Sequence, residues 1–363
     1  MPERVVLVLA TSTGGTGGHV RALAKGLVAA GVPVTVCAPR STEQSFGFAA
    51  TGARFVPVEI ASGMRPVADA RAGRALREVT SDASLVHAHG LRAGLVAGAV
   101  TSRGTPFVVT WHNAVLASGM ARPAYSALER LVARRADVTL CVSPDLEDRV
   151  RALGGQDVRP GPVAAPALPA STRSADEVRS ELHAGDRPLV LTIARLHAQK
   201  GYPTLVAAAA RLAGRQPHPL FIAAGEGPQR DEIAAEISRT NAPVRLLGWR
   251  TDLADLLCAA DVVVVPSVWE GSPLAAQEAL RAGRPLVATA VGGIPSLVGD
   301  GADLVAAGDA AAMAEAIAQI LDDPAHAAAL VARGALAAAR LPNDESTLTQ
   351  LIAVYAELLG RPL

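Results

Sequence analysis

Two glutamates separated by seven residues stand in the segment Pro266-Ser267-Val268-Trp269-Glu270-Gly271-Ser272-Pro273-Leu274-Ala275-Ala276-Gln277-Glu278. An apolar run precedes the segment and an amphipathic one follows, so it reads as a strand-to-helix turn with Glu270 in the turn and Glu278 two turns into the helix. Proline at the helix start fits that geometry. The amides of Gly271, Ser272, Leu274 and Ala275 then lie at a helix N-terminus, where unpaired N–H groups and the helix dipole favour a phosphate. A carboxylate on the helix can accept hydrogen bonds from a ribose diol, and one in the turn can orient sugar hydroxyls or steady a developing cation. The plain alternative is a helix with a solvated acidic face.

Upstream, Arg195 and Lys200 follow another apolar run in Ala194-Arg195-Leu196-His197-Ala198-Gln199-Lys200-Gly201. Two cations at a strand's carboxyl end can neutralise a pyrophosphate and help a nucleoside diphosphate depart. Of 34 basic residues only Lys25 and Lys200 are lysine, so Lys200 is an exception in a chain that otherwise writes arginine. A compact ammonium in a tight phosphate site accounts for it.

Ser12-Thr13-Gly14-Gly15-Thr16-Gly17-Gly18-His19 follows the opening strand and leads into a helix read as about 18–30. It is not a P-loop, because no Gly-Lys-Ser/Thr follows, and dinucleotide spacing fails because Val20 stands where the third glycine belongs. His87, His89 and His112 close predicted strands, with core histidines as the alternative reading. His87 and His89 share a strand face, yet no carboxylate or cysteine stands nearby at ligand spacing, so no metal is expected there. Nor does an Asp-x-Asp close a strand to hold a metal–nucleotide complex, which leaves the leaving-group charge to Arg195, Lys200 and amide dipoles.

The elements that must position these residues follow from periodicity. Apolar runs at 4–10, 32–38, 54–58, 84–88, 106–110 and 137–142 alternate with helical patterns, as in βαβ units forming a parallel sheet covered on both faces. Between Gly154 and Ser171 the periodicity lapses and four prolines punctuate small residues, which marks a linker. Strands resume at 188–194, 219–225, 243–248, 261–266 and 285–289, and an alanine-rich tail holds helices broken at Asp322-Asp323-Pro324 and Leu341-Pro342-Asn343. The chain of 363 residues is thus expected to be α/β, with a first Rossmann-like domain over 1–165 joined by a returning C-terminal helix at about 343–363, and a second over 175–342.

With these residues placed, the chain resembles the retaining GT-B glycosyltransferases of family 4 over nearly its whole length. The E-x7-E segment, the R-L-x-x-x-K-G pattern at Arg195 to Gly201, Gly225-Glu226-Gly227-Pro228 and Leu246-Leu247-Gly248-Trp249 carry the resemblance in the second half. In the first half it rests on G-G-x-x-x-H, which places the Gly15 backbone near the donor phosphates, and on Thr110-Trp111-His112, whose histidine lies near the transferred sugar. Val291-Gly292-Gly293-Ile294-Pro295 also fits, but Ser296 replaces the usual glutamate and Ala302 a common glycine. The resemblance implies two domains facing across a cleft, a hexosyl group moved from a UDP-sugar or GDP-sugar with retention of configuration, no cofactor and no metal. It assigns Glu270, His112, Arg195 and Lys200 to catalysis, and Gly15, Gly225, Gly248, Gly271, Ser272, Leu274, Ala275 and Glu278, with the two cations, to the donor.

Competing readings are a sugar-nucleotide epimerase on the same frame, a catalytically silent nucleotide-sugar-binding subunit, and an NADP-linked oxidoreductase with Arg40 at a 2′-phosphate, which the broken glycine spacing opposes. The acceptor, whether small molecule, glycan or lipid-linked, is not legible, and no nucleic acid is expected. Residues 1–165 hold 18 basic against 12 acidic side chains and the remainder 16 against 22, an asymmetry that could draw the first half to an anionic acceptor or a membrane surface, with charge scatter between two soluble faces as the alternative reading. Arg122, Arg130, Arg134 and Arg135 beside Met120 and Leu131 could rest on anionic lipid, with an ordinary arginine-rich surface helix as the alternative. Three scattered cysteines, no signal-peptide pattern and no long apolar run lead to the expectation of a cytoplasmic protein, which could also sit at the inner face of the membrane.

Overall fold

The computed structural model describes residues 3–115 and 121–363. The chain divides into two compact units, residues 1–164 with 342–363, and residues 165–341.

The first unit runs β1 (Val5–Leu9), α1 (Gly15–Ala29), β2 (Val34–Ala38), α2 (Arg40–Phe46), β3 (Arg54–Pro57), α3 (Pro66–Thr80), β4 (Leu85–His89), α4 (Leu91–Gly98), β5 (Phe107–Trp111), α5 (Ala121–Arg135), β6 (Val138–Cys141), α6 (Pro144–Ala152) and β7 (Val158–Pro160). Among the described residues its sheet has seven parallel strands in the order β3-β2-β1-β4-β5-β6-β7.

The second unit runs α7 (Ala175–Glu181), β8 (Leu189–Ile193), α8 (Tyr202–Leu212), β9 (Leu220–Ala224), α9 (Arg230–Thr240), β10 (Val244–Gly248), α10 (Leu253–Ala259), β11 (Val262–Val265), α11 (Leu274–Arg281), β12 (Leu286–Thr289), α12 (Ile294–Val298), β13 (Asp303–Val305), α13 (Ala310–Asp322) and α14 (Pro324–Ala338). Its six parallel strands are ordered β10-β9-β8-β11-β12-β13. The last helix, α15 (Asp344–Leu359), belongs to the first unit. This is the α/β architecture of two Rossmann-like sheets.

The apolar runs are continuous because both faces of each sheet are covered. In the second unit Leu189, Leu191, Leu220, Ile222, Val263 and Val265 enter one core, while their neighbours Val190, Phe221, Val262 and Val264 enter another. The tail breaks where proline and caps dictate. Asp323 accepts from the amides of Ala325 and His326 to start α14 with Pro324 in its first turn, and Asn343 with Ser346 forms a capping box on α15. The segment entering the second unit is held by buried Asp255, whose carboxylate accepts from the Ser171 hydroxyl, the Thr172 amide and the Arg173 guanidinium. The Ser171 hydroxyl first, and then Arg173, keep its carboxyl well below the usual range.

Two sequence expectations change. The glycine segment is not a loop before the helix, since α1 already begins at Gly15. Gly17 lies on its buried side, where a Cβ would stand 2.1 Å from the Phe46 ring, so this glycine lets the end of α2 pack closely. The proline-marked linker contains β7, which pairs with β6 through Thr139↔Val158 and Cys141↔Pro160. Proline is tolerated there because β7 is an edge strand whose outer ladder is unused. Cys37 and Cys141 are buried, their thiols pushed up to about 12 chiefly by burial, but Cys258 is half-buried.

Helix α15 is keyed to the sheet by buried Tyr355, whose hydroxyl lies 2.6 Å from His87 Nδ1. Replacing Tyr355 by Phe keeps the packing and orphans that nitrogen. A loss of about 1–3 kcal/mol in unfolding free energy is expected, read as a lower denaturant midpoint for the first unit. An unchanged midpoint would show that the bond does not hold the helix.

Candidate active site

In both sheets the chain winds outward from a central pair of strands in opposite directions. The crevice for a ligand opens beyond the carboxyl ends of such a pair. In the second unit that pair is β8 and β11, and the loops leaving them carry Arg195 with Lys200 and Glu270 with Gly271.

The two loops are fastened together. The Val268 amide donates to the Gln199 carbonyl at 2.8 Å, and Gln199 Nε2 donates to the Trp269 carbonyl at 2.9 Å. Lys200 Nζ meets Glu270 Oε1 at 2.5 Å, and the Ser267 hydroxyl donates to the same oxygen at 2.7 Å. The Gly293 amide, beyond β12, donates to the Glu270 carbonyl at 2.9 Å. Gly201 permits this approach, because its φ is +66° and a Cβ would stand 1.8 Å from the Pro266 carbonyl oxygen. Glu270 is 6% exposed, so the pair is largely withdrawn from water on the carboxylate side.

Arg195 is exposed one turn before this pair, next to Ala194, whose carbonyl accepts from the Tyr202 hydroxyl at 2.8 Å. Among the described residues no hydrogen bond or ion pair holds its guanidinium. Gly225 and Gly248, at the ends of β9 and β10, are joined by an amide-to-carbonyl bond of 2.8 Å. Pro273 caps α11, so Leu274 and Ala275 form its first turn, and the Ser272 hydroxyl accepts from Gln277 Nε2 at 3.0 Å. Glu278 lies further along α11 and is 8% exposed. Burial pushes its carboxyl up, opposed by the Arg281 charge. Six of the residues singled out from the sequence, Arg195, Lys200, Gly225, Gly248, Glu270 and Gly271, thus share the carboxyl edge of one sheet. The pairing of Lys200 with Glu270 had no signal in their spacing of seventy residues. Ser267, Gln199 and Tyr202 were missed, although Ser267 and Gln199 stand inside the two quoted segments and Tyr202 directly follows one of them.

In the first unit the central strands are β1 and β4, and His87 and His89 of β4 cluster with His19 of α1 and with His112, the residue after β5. His87 bonds Tyr355 and, through Nε2, the Thr110 hydroxyl at 2.7 Å, so it is a satisfied core histidine. His89 Nδ1 lies 3.1 Å from His112 Nε2, and the His19 ring stands edge-on to both, its centroid 5.8 and 5.4 Å away. Burial drives His19 down to about 4, and burial with the nearby His19 charge drives His87 to about 3. Burial first, and the surrounding histidines second, hold His89 and His112 well below their ordinary value. In α5, Arg122, Arg130, Arg134 and Leu131 are exposed, but Arg135 donates to the Gly98 and Thr101 carbonyls and covers the Phe107 ring at 5.0 Å. It therefore belongs to the fold and not to a lipid-facing surface, and Met120 lies outside the described residues. No described helix is long and apolar enough to cross a membrane.

Comparison with known proteins agrees with this geometry. The family model for glycosyl transferases group 1 matches residues 187–323, and that for a glycosyl transferase 4-like domain matches residues 14–167. The chain is 31% identical over 387 aligned positions to glycogen synthase of Mycobacterium tuberculosis, covering 94% of this chain and 91% of that one. It is 32% identical to D-inositol 3-phosphate glycosyltransferase 1 of Catenulispora acidiphila, covering 84% and 81%.

The chain belongs to the group 1 glycosyl transferases, family 4 of the GT-B fold. Solved structures share that fold: sucrose-phosphate synthase of Thermosynechococcus elongatus at a TM-score of 0.81 and 23% identity, covering 99% of each chain, and HepE of Anabaena in complex with UDP and glucose, at 0.81 and 18%, covering 98% and 100%. The protein is therefore a glycosyltransferase, as the sequence motifs implied.

Two outcomes test the site's physical basis. Gly201→Ala in this glycosyltransferase should unseat the Lys200 loop from Pro266 and lower the melting temperature of the second unit; a variant as stable as the parent would contradict the close approach. The four histidines stay neutral in the fold at pH values where the unfolded chain protonates them. Stability present above about pH 6.5 should therefore fall as pH drops towards 4, by up to about 1.4 kcal/mol per pH unit for each histidine held neutral. Urea midpoints that stay level between pH 7.5 and 5 would sink this account.

Proposed function

We propose that this glycosyltransferase moves a hexosyl group from a nucleoside-diphosphate sugar, UDP- or GDP-linked, to its acceptor with retention of anomeric configuration and without a metal. The observation that carries the reading is the Lys200–Glu270 pair at the point where the second sheet's strand order reverses, immediately before the N-terminus of α11. There an ammonium, the exposed Arg195 and the amides of Gly271, Ser272, Leu274 and Ala275 offer positive potential to a diphosphate. As the sugar–phosphate bond breaks, negative charge grows on the departing oxygen, and Lys200 and Arg195 stabilise it more than they stabilise the ground state.

In this reading Glu278 accepts hydrogen bonds from the ribose diol. Burial raises its proton affinity, as at many ligand-binding carboxylates, and this supports the assignment. Gly225 and Gly248 line the nucleoside with backbone. Glu270, steadied by Lys200 and Ser267, orients the sugar hydroxyls, and from the first unit Gly15 and His112 are assigned to the donor phosphates and the transferred sugar. His112 is neutral at pH 7, so it can donate or accept a hydrogen bond without adding charge. The departing phosphate oxygen takes the acceptor's proton, with no covalent intermediate on the protein. The HepE complex with UDP and glucose supports a nucleotide donor by analogy of fold.

The test is a thermal-shift series with UDP, GDP, ADP, NADP and their sugar conjugates, with and without EDTA, on the parent, Lys200→Ala and Glu278→Gln. One nucleoside diphosphate should stabilise the parent by about 2.7 kcal/mol at a hundredfold excess over its dissociation constant. The effect should survive EDTA, vanish in Lys200→Ala and weaken in Glu278→Gln. Glu278→Gln should also be the more stable protein without ligand as pH rises above the ordinary glutamate value, because the buried carboxylate no longer has to ionise. Stabilisation by NADP alone, or only with a divalent ion, would overturn the reading.

A further inference from the structure

The three imidazoles of His19, His89 and His112 offer one nitrogen each, all within 4.8 Å of one another, and His89 and His112 are buried. His89 uses Nδ1 towards His112, while its buried Nε2 has no hydrogen-bond partner among the described residues. An orphaned buried nitrogen costs about 1–3 kcal/mol, and nothing in the core packing calls for it. His87, stacked at 4.1 Å on His89, is fully engaged by Tyr355 and Thr110 and so holds the neighbouring ring in place without competing for a ligand.

We propose that His19, His89 and His112 form a binding site for a borderline divalent transition ion of the zinc and cobalt class. Nitrogens about 2.0–2.1 Å from a tetrahedral zinc lie about 3.4 Å apart. The three nitrogens already lie within 4.8 Å of one another, so shifts of about an ångström close the set on an ion. Three histidines with no carboxylate or thiolate suit zinc, cobalt or nickel over magnesium or calcium, and leave a fourth position open. His19 is the half-buried member and gives the ion its way in. The spacing of His87 and His89 hid this site, because its other two ligands come from α1 and from the residue after β5. The ion is not the missing catalyst of the transfer reaction. It would occupy His112, so on the reading above bound metal and turnover exclude each other.

The experiment uses the full-length protein stripped with EDTA and exchanged into chelator-free buffer, then titrated with Co2+ and, in competition, Zn2+. The parent should develop the visible ligand-field bands of tetrahedral cobalt with one ion per chain, and Zn2+ should bleach them. His19→Gln and His112→Gln should each lose affinity about tenfold or more. His326→Gln, at a histidine of the second unit paired with Asp303 at 2.8 Å, should bind as the parent does. Circular dichroism confirms that each variant is folded, and His19→Gln is the informative one should a buried substitution unfold the protein. Absent bands with no zinc retained, or binding unchanged in His19→Gln, overturns the proposal. The readout is the metal's own spectrum, so it stands apart from any failure of the transferase reading.

Discussion

The site depends on the strand order of the second sheet. From β8 the chain proceeds to β9 and β10 on one side, and only afterwards returns to lay β11, β12 and β13 on the other. Right-handed crossovers then carry the helices after β8 and β11 to opposite faces, so the loops between strand and helix diverge and leave a crevice at the carboxyl edge. The Lys200 loop and the Glu270 turn border that crevice, and the Gln199, Val268 and Trp269 backbone bonds keep its floor closed. Without the reversal, Lys200 and Glu270 would sit several strands apart, and neither would have a reason to be desolvated.

The Lys200–Glu270 pair has a further consequence. A carboxylate this far withdrawn from water is tolerable only with a cation and a hydroxyl on it, and removing either partner of such a pair is more harmful than never having built it. The same cation is the group proposed for the diphosphate. Ser267 and the Gly293 amide hold the Glu270 segment independently of Lys200, so the ammonium can turn part of its hydrogen bonding to phosphate without releasing the turn. This arrangement suits a group that must interact more strongly with the transition state than with the resting protein.

Much of this was legible in the residues, and what was not has identifiable causes. Central strands such as Val262–Val265 announce themselves because both faces are buried, and the tail helices because Asp323-Pro324 and Asn343 are unambiguous starts. The three-residue edge strands Val158–Pro160 and Asp303–Val305 are too short for any period to register, and the first was disguised by the prolines that an edge tolerates. The start of α1 was misplaced because glycine weighs against helix, whereas here Gly17 is chosen for its lack of a side chain against Phe46. Arg195, Lys200, Glu270 and Glu278 were singled out through local patterns, yet the contact of Lys200 with Glu270 follows from strand order, which local patterns do not encode.

The first sheet repeats the reversal at β1 and β4 with different chemistry. Where the second unit gathers cations and amides, the first gathers four imidazoles and no carboxylate, and burial strips them of charge. Neutral imidazoles make hydrogen bonds in either direction, which suits sugar hydroxyls, and they also present lone pairs, which suits a soft cation. His87 has surrendered both nitrogens to the fold through Thr110 and Tyr355, so α15 is tied to the very residue that backs the cluster. His89 has surrendered only one. That difference between two histidines on one strand face, one committed to the fold and one not, is what the proposed ion site rests on, and neither burial nor spacing alone would have told them apart.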